Sequence, residues 1–304
     1  MNAPAKRQRR RVDGVLLLDK AGGMTSNAAL QKARRLLNAA KAGHTGTLDP
    51  MATGLLPLCF GEATKFAGTL LTADKRYEAA IRFGVRTDTG DAEGQALERR
   101  PVAATREQVE AVLARFTGDI MQVPPMHSAL KRGGRPLYEY ARKGIELERQ
   151  PRPVTIHSIE LISFGGDLLE IAVDCSKGTY IRTLAQDIGE ALGCGGHLEA
   201  LRRTRIGPLR IEAAVALEAL EALPPEERDA GLQPADALLC GLPRADLDAA
   251  AAERFGHGQP VAGGAGQDEG LVRVYAGERF MGLGRRLGDG HIAPERLMAT
   301  GLEK

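Results

Sequence analysis

The sequence predicts an α+β protein. Strands, hairpins and helices alternate along it without the strand–helix–strand repeat of a doubly wound sheet. Two glycine-marked turns, Gly165-Gly166 and Ala276-Gly277-Glu278, each join apolar runs of strand length. Glycine makes up 37 of 304 residues, about 12% against a usual ~7%, and tryptophan is absent, which favours a loop-rich enzyme or RNA-binding fold over a helical bundle. A chain this long buries a sizeable core and is expected to divide into two domains.

Taken in order, Lys6, Arg7, Arg9, Arg10 and Arg11 form a basic tail expected to be disordered over 1–12. Val15-Leu16-Leu17-Leu18 reads as a buried strand, closed by Asp19-Lys20-Ala21-Gly22-Gly23. Thr25 or Ser26 then caps a helix through about Asn38, with Leu30, Ala33 and Leu37 on one face. The stretch Gly43–Gly54 holds three glycines, a proline and three threonines, leaving little room for a regular helix or strand and predicting a tight loop. Glu62–Leu71 reads as helix and Arg76–Val85 as strand. Thr87-Asp88-Thr89-Gly90-Asp91 reads as a plain polar connection, since the distal glutamate of a calcium loop is missing.

Thr105–Phe116 is an amphipathic helix. Pro124–Lys131 is extended and leads into Arg132–Arg152, a basic, glycine- and proline-containing insertion with Tyr138 and Tyr140 interleaved, expected to be mobile and to close over an anionic ligand. Val154–Phe164 and Leu168–Asp174 form a hairpin, and Thr179–Leu192 a helix. Arg202-Arg203-Thr204-Arg205 is read as preceding a short strand near Ile206–Ile211. From Ala213 the composition turns to Ala, Leu and Glu. A domain boundary is placed near Pro243–Asp246, followed by a hairpin of Leu271–Tyr275 and Arg279–Leu283.

Net charge is only +2, but its distribution is uneven. Residues 1–212 carry 32 Lys and Arg against 24 Asp and Glu, whereas residues 213–304 carry 9 against 15. The first part is where a polyanion would bind. No run approaches the ~18 apolar residues of a membrane span, and the basic N-terminus lacks the apolar core of a secretory signal. Four cysteines without framework spacing point to a reduced, cytoplasmic protein. Cys194 and His197 lack the second ligand pair of a zinc site, and there is neither a Walker loop nor a dinucleotide fingerprint. No cofactor or metal is expected.

What remains is a carboxylate near an arginine and aromatics. Asp49 sits at the tip of the glycine-rich loop, anchored by Leu55-Leu56-Pro57-Leu58, although Asp-Pro by itself also starts ordinary turns. Tyr180 and Arg182 lie just inside a helix that follows a strand, where an arginine either pairs with a carboxylate from another loop, fixing its rotamer, or is simply solvated. Tyr77 opens a strand, as a packing residue or one that stacks on a base. Lys20 closes the first strand, in a salt bridge or in the site.

Together these segments resemble the TruB family of tRNA pseudouridine synthases. The resemblance spans residues 13–212 in the right order, through Asp19-Lys20 with Gly23-Met24-Thr25-Ser26, Gly43-His44-Thr45-Gly46-Thr47-Leu48-Asp49-Pro50 and Lys75-Arg76-Tyr77. It continues through Pro125–Lys131, Lys177–Leu184 and Leu201-Arg202-Arg203. Ala21 departs from it, where the family often has proline. The resemblance implies a pseudouridine synthase catalytic domain over 13–243 with a thumb insertion at about 125–152, a mixed, largely antiparallel sheet flanked by helices, and a small PUA-like RNA-binding β domain over 244–304.

It implies isomerisation of the T-loop uridine of tRNA, position 55, without cofactor, metal or guide RNA, by a cytoplasmic monomer that flips the base. Asp49 is implied as the catalytic aspartate, Arg182 as its partner, and Tyr77 as stacking on uracil and helping to remove the C5 proton. Tyr180, Lys20 and Leu201 would line the pocket, and His44 would fill the space the base vacates. Lys131, Arg142 and Arg202 would bind RNA, and an added tRNA-folding role is open. Two other readings share the surface: a non-catalytic RNA-binding module, and a base-excising hydrolase.

Overall fold

The computed structural model describes residues 8–263 and 268–299. Its strands and helices run β1 (Gly14–Lys20), α1 (Ser26–Leu36), β2 (Ala42–His44), β3 (Thr53–Phe60), α2 (Ala67–Leu71), β4 (Lys75–Phe83), β5 (Val85–Thr87) and β6 (Ala96–Arg99). Next come α3 (Arg106–Arg115), β7 (Gly118–Gln122), β8 (Lys131–Arg132), β9 (Arg135–Pro136), α4 (Leu137–Ala141), β10 (Arg152–Gly165), β11 (Leu168–Cys175), α5 (Ile181–Ala191) and β12 (Gly196–Ile206). The remainder holds β13 (Leu209–Arg210), β14 (Val215–Ala216), α6 (Leu217–Ala222), β15 (Arg244–Asp246), α7 (Ala249–Gly256), β16 (Val261–Ala262), β17 (Gly270–Ala276), β18 (Arg279–Arg286) and β19 (His291–Leu297). This is the α+β architecture expected. The chain divides into two compact units, neither of them a single stretch: Met1–Leu48 with Leu56–Leu71 and Gly207–Lys304, and Asp49–Leu55 with Thr72–Ile206.

The second unit is built on the strand order β3-β12-β4-β11-β10-β7, antiparallel except for the β3–β12 pair. Ile81, Phe83, Leu169, Ile171, Val173 and Leu198 are buried, and α5 and α3 pack on the sheet. Each of these helices starts for a legible reason. Thr105 and Gln108 form a reciprocal capping box at α3. At α5, Ile181, Leu184, Ala185 and Ile188 supply the apolar stripe. The Arg202–Arg205 run is itself part of β12, and the short strand expected after it is β13. The cations of the run find partners across the sheet, Arg205 on Asp174, which also holds Arg76 at 2.5 Å. The thumb segment is a β8–β9 hairpin followed by α4, with Leu137 as its buried anchor.

In the first unit, β1 pairs parallel with β14, and its apolar run is fully buried. The Thr25 hydroxyl caps α1 through the Ala28 amide. Part of the basic tail is ordered: Arg10 pairs with Asp229 through both terminal nitrogens, bridges to Ala39, and is followed by buried Val12. Lys6 and Arg7 lie outside the described residues. The C-terminal sheet, β15-β17-β18-β19-β16, begins at Arg244 and closes over Phe255, Val261, Val274 and Ile292. Phe280 packs on Phe66 with ring centroids 5.4 Å apart. Among the described residues no helix is long and apolar enough to cross a membrane.

Candidate active site

The loop carrying Asp49 is shorter than its composition suggests. Gly43 and His44 finish β2 and Thr53 opens β3, and the two strands pair antiparallel with Gly43 opposite Cys59 and His44 opposite Leu58. Only residues 45–52 are irregular. Ser26, fully buried on α1, holds Leu48 from both sides: its hydroxyl accepts from the Leu48 amide at 2.8 Å and donates to the Leu48 carbonyl at 3.1 Å. The Ala52 amide then donates to the Asp49 carbonyl at 3.1 Å, closing a turn that displays the carboxylate. Gly54, at φ +100°, lets β3 touch β12. A Cβ there would stand 2.3 Å from the Arg203 carbonyl oxygen.

Arg182, in the first turn of α5, grips the carboxylate side-on. Its Nε lies 3.0 Å from Asp49 Oδ2 and its Nη2 3.3 Å from Oδ1. The guanidinium is itself held by the Thr89 carbonyl at 3.0 Å and the His127 carbonyl at 2.6 Å, with Asp91 Oδ2 3.7 Å away. The Arg182 side chain is 5% exposed, whereas that of Asp49 is 35% exposed. A rigid buried fork thus fixes the rotamer of a carboxylate that still faces solvent. Asp91 is buried and is braced by the Thr89 hydroxyl at 2.5 Å and the Glu93 amide at 3.2 Å. The segment expected to be a plain connection is therefore the wall behind Arg182. Among the described residues no cluster of three or more His, Cys, Asp or Glu side chains is arranged to hold a metal.

Two phenols lie within electrostatic reach of Asp49. Burial pushes Tyr77 above the usual tyrosine range, opposed by the nearby Arg203 guanidinium. Burial likewise raises Tyr180, opposed by the Ser128 hydroxyl. Tyr180 caps α5, and its backbone is pinned by the Gln122 side chain, which accepts from its amide at 3.0 Å and donates to its carbonyl at 3.3 Å. In the β4–β12 register Leu201 stands opposite Ala79 and Arg203 opposite Tyr77, so these four share one face of the sheet. The Leu201 carbonyl accepts from the Thr53 hydroxyl at 3.4 Å.

Asp49 and Arg182 therefore meet, Tyr77 and Tyr180 lie within electrostatic reach of the carboxylate, and Leu201 shares the sheet face of Tyr77. Arg202 stands opposite Glu78, on the other face from Tyr77. Lys131 and Arg142 are exposed on the thumb, with the Arg142 guanidinium 5.2 Å from the centroid of the Tyr138 ring. Lys20 and His44 belong to the other unit. There the buried Lys20 ammonium donates to the Ala21 and Met24 carbonyls at 2.9 and 2.8 Å, and His44 ends β2. Sequence reading overlooked Asp91 and Arg203. The period of two along a strand, counted from Leu201, leads to Arg203 and away from Arg202.

Residues 34–181 match the TruB family pseudouridylate synthase N-terminal domain. Residues 182–240 match the tRNA pseudouridylate synthase B C-terminal domain, and 243–298 the C-terminal domain of pseudouridine synthase II TruB. The chain is 63% identical to tRNA pseudouridine synthase B of Aromatoleum aromaticum, covering 97% of this chain and 96% of the relative. It is 58% identical to that of Burkholderia mallei, covering 96% and 99%. Among solved structures, an H/ACA ribonucleoprotein bound to a substrate RNA containing 2′-deoxyuridine aligns with a TM-score of 0.72 and 25% identity over 94% of this chain and 85% of that one. A Cbf5-Nop10-Gar1 complex aligns with a TM-score of 0.73 and 28% identity over 93% and 84%. With its fold, its convergent aspartate and arginine, and these matches along nearly its whole length, the chain belongs to the TruB family of pseudouridine synthases.

Proposed function

We propose that the protein isomerises uridine to pseudouridine in tRNA, and that its target is the T-loop uridine at position 55. The observation that carries this reading is Asp49, solvent-facing yet fixed by an ion pair and a hydrogen bond from buried Arg182. The reaction breaks the uracil N1–C1′ bond, turns the base, and joins C5 to C1′. A carboxylate suits it because it can attack sugar or base, or take the proton that begins elimination. Fixing its rotamer beforehand leaves little to organise when the nucleotide arrives. Two desolvated phenols beside it offer a face for the uracil ring and an oxygen near its C5 proton. Tyr77 takes the stacking role, while Tyr180 and Leu201 wall the pocket.

The target base must leave its stack, at a cost of a few kcal/mol. The family resemblance assigns the vacated space to His44 and a pocket-lining role to Lys20, and Lys131, Arg142 and Arg202 bind RNA. RNA shape and backbone supply recognition. The protein acts without a guide RNA, as a cytoplasmic monomer, with its C-terminal domain on the RNA and an added role in tRNA folding.

The test is mass spectrometry of tRNA fragments after cyanoethylation, with the native chain and Asp49→Asn side by side. The native chain is expected to convert one T-loop uridine, and Asp49→Asn to bind tRNA without converting it. Normal turnover by Asp49→Asn overturns the assignment. Release of free uracil would instead mark a base-excising hydrolase, and binding without any product a non-catalytic RNA-binding module.

A further inference from the structure

We infer that Arg203 is a positioning residue for Tyr77, holding its phenol oxygen and tying it to the strand that leaves the Asp49 loop. The inference rests on the function proposed above. Arg203 is 2% exposed, among the largest fully buried side chains of the molecule. It stands directly across from Tyr77 on the neighbouring antiparallel strand, with its guanidinium close enough to favour the charged form of the phenol. Its Nε donates to the Leu55 carbonyl at 2.8 Å, immediately after Gly54, where the β3 and β12 backbones are in contact. One planar group thus reaches from the strand that leaves the Asp49 loop toward the Tyr77 phenol, and its fixed fork sets the distance between them.

A buried cation is a poor device for stability, since a well-packed apolar side chain of similar volume does as well or better. Its effect here falls on its partners. A phenol oxygen that accepts from Arg203 must turn its own O–H elsewhere, and negative charge developing on that oxygen is stabilised by the guanidinium. The same contact opposes the rise that burial imposes on the phenol. Lysine in its place would keep the charge but lose the fork that holds Leu55 and Tyr77 together.

The experiment uses the full chain and unmodified tRNA, with Arg203→Lys alone and combined with Tyr77→Phe, reading single-turnover rate and tRNA Kd. Arg203→Lys is expected to slow conversion about tenfold or more in the native background, and less than about twofold when Tyr77 is already phenylalanine. The Kd should stay within about twofold, because Arg203 reaches no solvent. Equal rate losses in both backgrounds, or a loss confined to Kd, would overturn the inference. Should Arg203→Lys not fold, the urea midpoint of Tyr77→Phe decides: a fall shows a buried donor left unpaired, and an unchanged midpoint removes the proposed hydrogen bond. If the native chain makes no pseudouridine, the proposed function fails, and the urea result still stands on its own.

Discussion

Arg182 carries more contacts than its one carboxylate partner requires. Its guanidinium serves Asp49, the Thr89 carbonyl and the His127 carbonyl together, with Asp91 nearby. Lysine retains the charge but cannot satisfy three directions at once, and it leaves carbonyls that Arg182 now holds without that donor. Arg182→Lys is therefore expected to lower the single-turnover rate about 100-fold, close to 3 kcal/mol of barrier. The tRNA Kd is expected to hold, because a 5% exposed side chain meets no phosphate. A filter-binding titration run beside the rate measurement checks this, and parallel losses in both would assign Arg182 to the RNA backbone. The pairing itself joins residues 133 apart, and no local pattern announces it. From sequence, Asp49 and Arg182 meet only through the ordered company of the other motifs, and Asp91 hides in a Thr-Asp-Thr-Gly-Asp turn with no apolar period.

At the level of elements, the strands and helices with clean periods are where the sequence places them, from β1 through the β10–β11 hairpin to α5. The misreadings fall where a tertiary partner overrides local chemistry. Arg202–Arg205 look too charged for a strand until Asp174 and Glu78 are set across from them. Gly43 and Gly54 look like loop residues until their strands pair. Gly54 permits an approach that nothing larger can make, so Gly54→Ala is expected to destabilise by about 3 kcal/mol or more, through both the Arg203 clash and the strained φ. The urea midpoint measures it, and an unchanged midpoint would mean that the β3–β12 contact yields. Helix α5 holds a second test. Asp187, half-buried and three residues from Glu190, is pushed up to about 6 by burial and then by that neighbour. In the unfolded chain it titrates near 3.9, so the folded state binds the extra proton between about pH 4 and 6 and loses stability as pH rises through that window. Asp187→Asn should gain about 2 kcal/mol above pH 6 and nothing below pH 4. Thermal melts of both chains across that range would show the difference opening with pH, and a constant difference would refute it.

Over the whole molecule, the distribution of charge matters more than its total. The cations concentrate in residues 1–212, and among them Lys131 and Arg142 stand exposed on the thumb with no carboxylate ion pair among the described residues. Arg182 and Arg203, by contrast, are turned inward and buried. Tasks are thereby divided, with buried cations set beside Asp49 and Tyr77 and exposed ones open to a polyanion. A phosphate contact neutralises a charge and releases condensed counterions, so its removal weakens binding and flattens the salt dependence together. The Lys131→Ala, Arg142→Ala double variant is expected to weaken tRNA binding in 0.15 M salt and to reduce the slope of log K against log salt by about 1.5–2. Its single-turnover rate at saturating protein should stay near that of the native chain, since neither residue lies among the converging groups around Asp49. Binding isotherms at four salt concentrations give the slope directly. An unchanged slope would take both residues off the phosphate backbone, and a fall in the saturated rate would place the thumb in the chemistry itself.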